Sequence, residues 1–186
     1  MKYCSQCAAA LEQRVPEGDD RPRYVCPNCA TVFYQNPKII AGCLPIWRDQ
    51  VLLCKRAIEP RYGLWTLPAG FMENGETTQA AAARETLEEA QLSMDAGRLS
   101  LYCYLNIPRI SQVYVIFRGV MAAPEFAPGH ESLEVGLFAE SDIPWEQIAF
   151  PAIEVCLRHY FKERALGDFP VHVEDIHRRP PSTFKI

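Results

Sequence analysis

The chain has 186 residues, of which 48% are hydrophobic and 23% charged. This composition is ordinary for a soluble globular protein, and the length suits one good-sized domain plus a small one. The formal net charge of −4 argues against a nucleic-acid-coating surface, and no apolar run reaches the roughly 20 residues that span a bilayer. The N-terminus, Met1-Lys2-Tyr3-Cys4, has no signal-peptide core, so we expect a cytoplasmic protein without a membrane partner.

The eight cysteines fall into two groups. Cys4, Cys7, Cys26 and Cys29 form two Cys-x2-Cys pairs separated by eighteen residues. This spacing predicts a tetrahedral structural Zn²⁺ site within residues 1–36, and so short a segment needs a metal because it cannot build a sufficient core. A disulfide framework is the less favoured alternative, since no secretory signal is seen. The other cysteines stand singly in apolar runs and are interpreted as buried small hydrophobes: Cys43, Cys54, Cys103 and Cys156.

The rest of the chain alternates apolar strand patterns with two helical ones. Runs rich in β-branched and aromatic residues predict strands at Ile39 to Trp47, Val51 to Lys55, Leu99 to Ile107, Val113 to Val120 and Leu133 to Phe138. An amphipathic stripe predicts a helix over Pro151 to Ala165. Strands with inserted helices indicate an α+β fold. The C-terminal tail, residues 166–186, carries His172, His177, Arg178 and Arg179, and its sequence leaves open whether it packs on a partner subunit or is loose.

A second helical pattern is strongly acidic. It begins at Thr77 or Thr78, either of which can cap a helix, and Glu85, Glu88 and Glu89 fall on one face. The opposite face, expected to pack, carries Ala80, Ala83, Leu87 and Ala90. Like charges at these spacings repel, and the sequence places no lysine or arginine on the acidic face. We therefore expect a hard divalent cation there, with an ordinary solvated acidic face as the alternative.

The stretch from Gly70 to Leu92 resembles the Nudix box, G-x5-E-x7-R-E-U-x-E-E-x-G-U, where U is a bulky aliphatic residue. Seven of nine defined positions match over twenty-three residues, and the departures are Thr86 and Gln91. The resemblance implies an α+β fold, a Nudix α/β/α sandwich with a mixed sheet over residues 37–165. In this sequence the sandwich is preceded by the small zinc ribbon of residues 1–36.

The Nudix family hydrolyses the pyrophosphate bond of a nucleoside diphosphate linked to another moiety. The resemblance implies that Mg²⁺ or Mn²⁺ binds to Glu85, Glu88, Glu89 and the carbonyl of Gly70. It also implies a homodimer.

The other polar residues of the predicted site have less certain roles. Glu76 and Arg84 are expected to form a structural ion pair between the loop and the helix of the box. Glu131 or Glu134 is a candidate further ligand or general base, with plain surface glutamates as the alternative.

The substrate is harder to derive, and no substrate-binding residue is predicted. A cysteine ribbon before a short Nudix domain resembles enzymes that cleave ADP-ribose and FAD, and next NADH pyrophosphatases. Pro108, sixteen residues beyond Leu92, resembles an ADP-ribose pyrophosphatase pattern, although a strand-ending turn explains it equally. One alternative function is a non-catalytic nucleotide-sensing regulator whose ribbon contacts nucleic acid or protein. A third is a house-cleaning nucleoside triphosphate pyrophosphatase. For the enzyme we expect a small-molecule substrate and no nucleic-acid partner.

Overall fold

The computed structural model describes residues 1–177. It divides into two compact units, Met1–Pro37 and a second unit that begins at Lys38. Arg178 and Arg179 of the predicted tail lie outside the described residues.

The N-terminal unit is a small antiparallel sheet with two cysteine turns. Its strands are β1 (Glu12–Arg14), β2 (Arg23–Val25) and β3 (Val32–Phe33), in the order β1-β2-β3. In the two turns the backbone N–H of Ala8 donates to the carbonyl of Cys4, and that of Ala30 donates to the carbonyl of Cys26, each at 2.9 Å. The two cysteine pairs therefore form matching turns, as a zinc ribbon requires.

These turns bring the four predicted zinc ligands together. The sulfur atoms of Cys4, Cys7, Cys26 and Cys29 all lie within 4.8 Å of one another, and three of the S···S distances are 3.4, 3.6 and 3.7 Å. Four thiolates about 2.3 Å from one zinc ion would be about 3.8 Å apart, so the geometry fits a tetrahedral ion. Hydrogen bonding from Thr31 lowers the pKa of the Cys29 thiol to about 6, which favours the thiolate that binds metal.

The second unit is built on one large mixed sheet. Its strands are β4 (Lys38–Trp47), β5 (Gln50–Arg56), β6 (Trp65–Thr66), β7 (Ala69–Phe71), β8 (Ser100–Ile107), β9 (Gln112–Val120), β10 (Ser132–Phe138) and β11 (His172–Asp175). The main order is β10-β5-β4-β9-β8-β11, while β6 pairs with β5 and β7 with β4. The pairs β4–β9 and β8–β11 are parallel and the others antiparallel. The predicted mixed sheet is confirmed.

Two helices cover opposite faces of this sheet. They are α1 (Thr78–Ala90) and α2 (Pro151–Glu163). Successive side chains of a strand point to opposite faces, so in β4 Ala41 and Cys43 pack with α1, whereas Ile40 and Leu44 pack with α2. The arrangement is the α/β/α sandwich expected from the sequence. Short 3-10 helices complete the connections at Ala96–Arg98, Pro108–Ile110, Glu140–Asp142 and Trp145–Gln147.

For the five long strands and both helices, most of the predicted ends lie within one or two residues of the observed ends. The structure also contains elements that the sequence did not reveal. The apolar run from Leu64 to Gly70, which leads into the box, splits at Pro68 into β6 and β7, and these pair with different strands. The tail contributes β11, whose pairing with β8 shows that residues 172–175 are part of the sheet. Pro108 begins a 3-10 turn between β8 and β9, as the strand-ending alternative predicts.

The single cysteines behave as predicted, since Cys43, Cys54, Cys103 and Cys156 are buried. None of the eight cysteines, all of which lie within residues 1–177, forms a disulfide. Within the same residues, neither helix has both the length and the apolar character needed to cross a membrane.

The two cysteine turns generate a prediction about alanine. Ala8 and Ala30 have φ angles of 60° and 57°, a left-handed conformation that glycine adopts without the steric penalty of a Cβ. We expect Ala8→Gly and Ala30→Gly each to tighten zinc binding several-fold, measured by equilibrium competition with a chelator. Ala10→Gly is the matched control, since Ala10 is outside the positive-φ residues, and should weaken binding or leave it unchanged. Weaker binding in both Ala8→Gly and Ala30→Gly would contradict the argument.

Candidate active site

Helix α1 has well-defined ends. The Oγ1 of Thr77 accepts a hydrogen bond from the backbone N–H of Ala80 at 3.1 Å, as predicted for a cap. Gln91 ends the helix with a φ of 48°, and its N–H donates to the carbonyl of Leu87. A left-handed residue at this position explains why the box pattern has glycine there. The other departure, Thr86, is buried and donates its hydroxyl to the carbonyl of Ala82 at 2.7 Å, so its polar group is satisfied.

The packed face of α1 agrees with the expected one at Ala90, which is fully buried, and differs from it elsewhere. Ala81 and Ala82 face the sheet and are fully buried, whereas Leu87 is 52% exposed. Glu85 and Glu89 lie on the buried side, with exposed fractions of 9% and 5%. The three glutamates are therefore not exposed on one common face. Glu88 is exposed to solvent, whereas the carboxylates of Glu85 and Glu89 are buried.

The strand β7 receives the two buried carboxylates. The Oε2 atom of Glu89 accepts a hydrogen bond from the backbone N–H of Ala69 at 3.3 Å. The carboxylate of Glu85 lies so close to Gly70 that a Cβ on residue 70 would collide with it. A side chain at position 70 would push the flexible Glu85 carboxylate aside, so this close approach places the Gly70 backbone, a predicted metal ligand, beside Glu85.

Arg84 supplies positive charge that the sequence analysis did not expect on the acidic face. Its guanidinium lies 2.9 Å from Glu76 Oε1, 2.7 Å from Glu85 Oε1 and 3.1 Å from Glu88 Oε2. The Arg84 hydrogen bonds lower the pKa of Glu76. The expectation that no arginine offsets the glutamates was therefore wrong, because an extended guanidinium reaches residues one and four positions along the helix. The Glu76–Arg84 contact joins the loop to the helix.

Burial makes the two inner carboxylates resist ionisation. It raises the pKa of Glu89 to about 8, and the nearby charge of Glu85 adds to the effect. Burial also raises the pKa of Glu85. Neighbouring carboxylates whose ionised forms are disfavoured by burial attract a cation strongly. The residues present thus fit a divalent ion bound by oxygen ligands.

The loop at 125–131 packs on the C-terminal end of α1. The N–H of Gly129 donates to the carbonyl of Glu89 at 3.0 Å, and a Cβ on Gly129 would overlap the carbonyl oxygen of Glu88. The charge of Glu131 raises the pKa of both Glu85 and Glu89, so this loop brings Glu131 near the inner carboxylates.

Glu134, the other candidate from the sequence, is placed differently. It is an exposed residue of β10 whose carboxylate lies 3.4 Å from the ammonium of Lys55. Its contact is therefore a cross-strand ion pair between β10 and β5.

Arg56 is a candidate that the sequence analysis missed. It ends β5, is 9% exposed, and its guanidinium lies 5.1 Å from the centre of the Phe150 ring. Its Nε donates to the carbonyl of Pro60 at 2.9 Å, and its charge lowers the pKa of Glu89. A buried arginine beside an acidic pair is a natural phosphate contact. The available signal was an arginine that ends a buried strand just before a loop near the box.

The raised pKa of Glu89 generates a prediction about stability. In the unfolded chain its carboxyl would ionise near pH 4.5, but in the folded protein only near pH 8. Its stabilising effect is therefore complete below pH 4.5 and is lost as pH rises through 8. Without added divalent ions, Glu89→Gln should be more stable than the original protein at pH 8.5 and nearly equal at pH 4.5.

Denaturant unfolding followed by tryptophan fluorescence measures this difference, since Trp47, Trp65 and Trp145 all belong to the second unit. Glu146→Gln, at an exposed position, is the matched control and should not change the pH dependence. A Glu89→Gln protein that is less stable than the original at pH 8.5 would contradict the assigned burial cost.

Comparison with known proteins agrees with both units. Residues 2–35 match the family described as Nudix N-terminal, a zinc ribbon, and residues 36–156 match the NUDIX domain. A crystal structure of a NUDIX hydrolase from Nitrosomonas europaea has 52% sequence identity and a TM-score of 0.90, covering 96% of this chain and 100% of that one.

More distant relatives carry more specific names. The NAD-capped RNA hydrolase NudC of Edwardsiella ictaluri (strain 93-146) is 34% identical over 95 residues, covering 50% of this chain. The chain spans only 34% of the length of that relative. A bifunctional NMN adenylyltransferase/ADP ribose pyrophosphatase from Francisella tularensis, complexed with AMP and a Mn ion, shares the fold. Its TM-score is 0.61 at 21% identity, over 70% of this chain and 42% of that one. With the NUDIX domain matched over residues 36–156, the chain belongs to the Nudix hydrolase family.

Proposed function

We propose that this protein hydrolyses the pyrophosphate bond of a nucleoside diphosphate linked to another moiety, with Mg²⁺ or Mn²⁺ as cofactor. The observation that carries the proposal is the pair of buried carboxylates, Glu85 and Glu89, held beside Gly70 at the start of the site. A buried acidic pair is costly to a fold unless a cation compensates it. Hydrolysis of a pyrophosphate benefits from the same cation, because the negative charge of the pyrophosphate otherwise repels an attacking hydroxide.

The residues that would hold the ion are Glu85, Glu88, Glu89 and the Gly70 carbonyl. When bound, the ion supplies positive charge to the phosphoryl oxygens and lowers the pKa of a coordinated water. The exposed Glu88 is free to turn toward such an ion by releasing its contact with Arg84. Glu76 and Arg84 keep the loop fixed to the helix and have a structural role.

Two loops place the groups that would act on the substrate. The N–H of Ala57 donates to the carbonyl of Glu131 at 2.8 Å, which joins the loop after β5 to the loop before β10. Arg56 is the neighbour of Ala57 in the chain, and both Arg56 and Glu131 influence the pKa of Glu89, so we assign Arg56 to a substrate phosphate. Glu131 is our candidate general base, which accepts a proton from the attacking water. Glu134 is the weaker candidate because Lys55 pairs with it.

For the substrate we favour ADP-ribose or FAD, with NADH next. The Francisella tularensis relative is named as an ADP ribose pyrophosphatase, and the Edwardsiella ictaluri relative is named for NAD-capped RNA. The common chemistry is an adenosine diphosphate whose distal phosphate carries a variable group. RNA with an NAD cap therefore belongs in the substrate panel, although we expect a small-molecule substrate. The four-cysteine site would hold a structural zinc ion, and a cytoplasmic homodimer remains our expectation.

The alternative function is a nucleotide-sensing regulator. The NUDIX domain of Shewanella oneidensis NrtR has been crystallised with ADP ribose, and its TM-score to this chain is 0.57 at 20% identity, which supports the fold alone. We rank this alternative lower because every carboxylate of the box is present. The nucleoside triphosphate pyrophosphatase is ranked third.

The first functional prediction concerns Glu89. With Mg²⁺ or Mn²⁺, the protein should release AMP from ADP-ribose or FAD in a panel that also contains NADH, NAD⁺, diadenosine polyphosphates, nucleoside triphosphates and NAD-capped RNA. Glu89→Gln should lose nearly all turnover while it keeps its fold, because an amide cannot supply the negative ligand. Glu146→Gln is the control and should retain activity. Normal turnover in Glu89→Gln would refute the metal assignment, and silence of the folded, zinc-loaded protein on the whole panel would favour the regulator.

The second prediction separates the two candidate bases. Because a positioned base contributes about 10²–10⁴-fold, Glu131→Gln should lower kcat by about that factor. Glu134→Gln should change kcat less than about threefold, since it removes only an exposed ion pair of small energetic value. The measurement is the pH profile of kcat for both variants, in which Glu131→Gln should lose the acidic limb. The reverse ranking would move the base to Glu134.

A further inference from the structure

A cluster of two histidines and a glutamate lies where α2 meets β11. His159 and Glu163 are one helical turn apart on α2, and His172 opens β11. One ligand-type atom from each residue lies within 4.8 Å of the other two. Because α1 and α2 cover opposite faces of the sheet, this cluster is separate from the box carboxylates. We propose that His159, Glu163 and His172 bind a zinc ion that fastens β11 to α2.

The contacts within the cluster converge on one oxygen. The Oε1 atom of Glu163 lies 2.8 Å from Nε2 of His172 and 4.0 Å from Nδ1 of His159. Yet within residues 1–177 the buried Nε2 of His172 has no partner in hydrogen-bond geometry. The two imidazole rings are stacked, with centroids 3.7 Å apart and planes at 13°. A buried nitrogen of this kind needs a partner, and a cation between it and the carboxylate would supply one after a small rotation of the rings.

The groups around the cluster orient its ligand atoms. Tyr102 donates its hydroxyl to Oε2 of Glu163 at 2.8 Å, which leaves Oε1 directed at the histidines. The Oε1 atom of Glu174 lies 2.6 Å from Nε2 of His159. A carboxylate on one ring nitrogen places the proton there and leaves the lone pair on the other, which is how metal-binding histidines are commonly held. His159 is thus prepared to bind through Nδ1.

The donor set decides the kind of metal. Two imidazole nitrogens with one carboxylate oxygen favour zinc over Mg²⁺, which prefers oxygen ligands and water. The cluster is also reachable from solvent, because a groove of about 500 Å³ is lined by His159 and Glu174. A zinc ion held by these three side chains would take a water molecule as its fourth ligand.

If ion pairs rather than a metal hold the same residues together, the contact between α2 and β11 has the opposite pH dependence. Protonated histidines could hold Glu163 and Glu174 as ion pairs, and that contact would strengthen as the pH falls. Zinc binding instead strengthens as the pH rises, since the histidines must be neutral to bind a metal. The direction of the pH effect on β11 therefore distinguishes a metal site from an ion-pair clamp.

The test is equilibrium dialysis of the full chain against zinc at pH 7.5, with Mg²⁺ in excess to compete at the box carboxylates. We expect two zinc ions per chain, one in the cysteine site and one in this cluster. His159→Gln and Glu163→Gln should each retain one, and the matched control His130→Gln, at an exposed histidine, should retain two. Glu174→Gln should weaken the second site about 10- to 100-fold, as loss of an orienting carboxylate does.

Hydrogen exchange gives an independent readout on the original protein. Zinc should slow exchange of the β11 amides at pH 7.5, and this protection should fade as the pH falls, because protons compete with the metal for the histidines. One zinc ion per chain in the original protein would overturn the proposal, as would two in both ligand variants. Protection of β11 that is independent of zinc and grows at acidic pH would assign the cluster as an ion-pair clamp. If a variant does not fold, the zinc and pH dependence of the original protein decides.

Discussion

The arrangement of the candidate active site depends on two neighbouring carboxylates that are both buried. Glu85 and Glu89 lie one turn apart on α1 and both are buried. Burial raises the pKa of each carboxyl, and the charge of Glu85 raises the pKa of Glu89 further. An ordinary helix would turn such residues to solvent. Here the neighbouring Ala81, Ala82 and Thr86 bind the same side of α1 to the sheet, so the glutamates are carried inward with them. The stability of the packed helix offsets the cost of burying the charges, and a divalent ion would remove most of that cost.

The surrounding fold is arranged to accept these two side chains. On one side β7 offers the Ala69 N–H to Glu89 and a glycine beside Glu85. On the other side the loop at 125–131 binds the end of α1 through Gly129, where the backbone of Glu88 leaves no room for a Cβ. Both contacts place main-chain atoms, of β7 and of the loop at 125–131, in direct contact with α1. The predicted metal-binding side of the site is therefore formed by glycine positions and main-chain groups as much as by the glutamates.

Much of this was predictable from the sequence, for physical reasons. The long strands follow from runs of β-branched and aromatic residues, and the box helix follows from its alanines, its threonine cap and its spacing. The packed face of α1 was predicted wrongly in part, because the helical wheel was oriented by the charged residues. In the structure, the residues that pack against the sheet are Ala81, Ala82 and Thr86. Arg84 was overlooked as a counter-charge because a guanidinium on a long side chain reaches beyond its own position on the wheel.

Other features depend on long-range contacts that a local pattern does not contain. Strand β11 is only four residues long and is stabilised by β8, a partner nearly seventy residues away in the chain. Arg56 becomes notable only when the fold brings it beside Glu89 and Phe150. The His159–Glu163–His172 cluster likewise needs β11 in place before its three side chains meet. In each case the residues were visible in the sequence, but their proximity was not.

The most direct test of the central claim is whether a divalent ion displaces a proton from the buried pair. Calorimetric titration with Mn²⁺ at pH 7, in two buffers with different enthalpies of protonation, measures the protons released per ion bound. Because the pKa of Glu89 is about 8, the account predicts release of about one proton per Mn²⁺, and little release and much weaker binding in Glu89→Gln. Equal heats in the two buffers, or equal Mn²⁺ binding by Glu89→Gln, would contradict it.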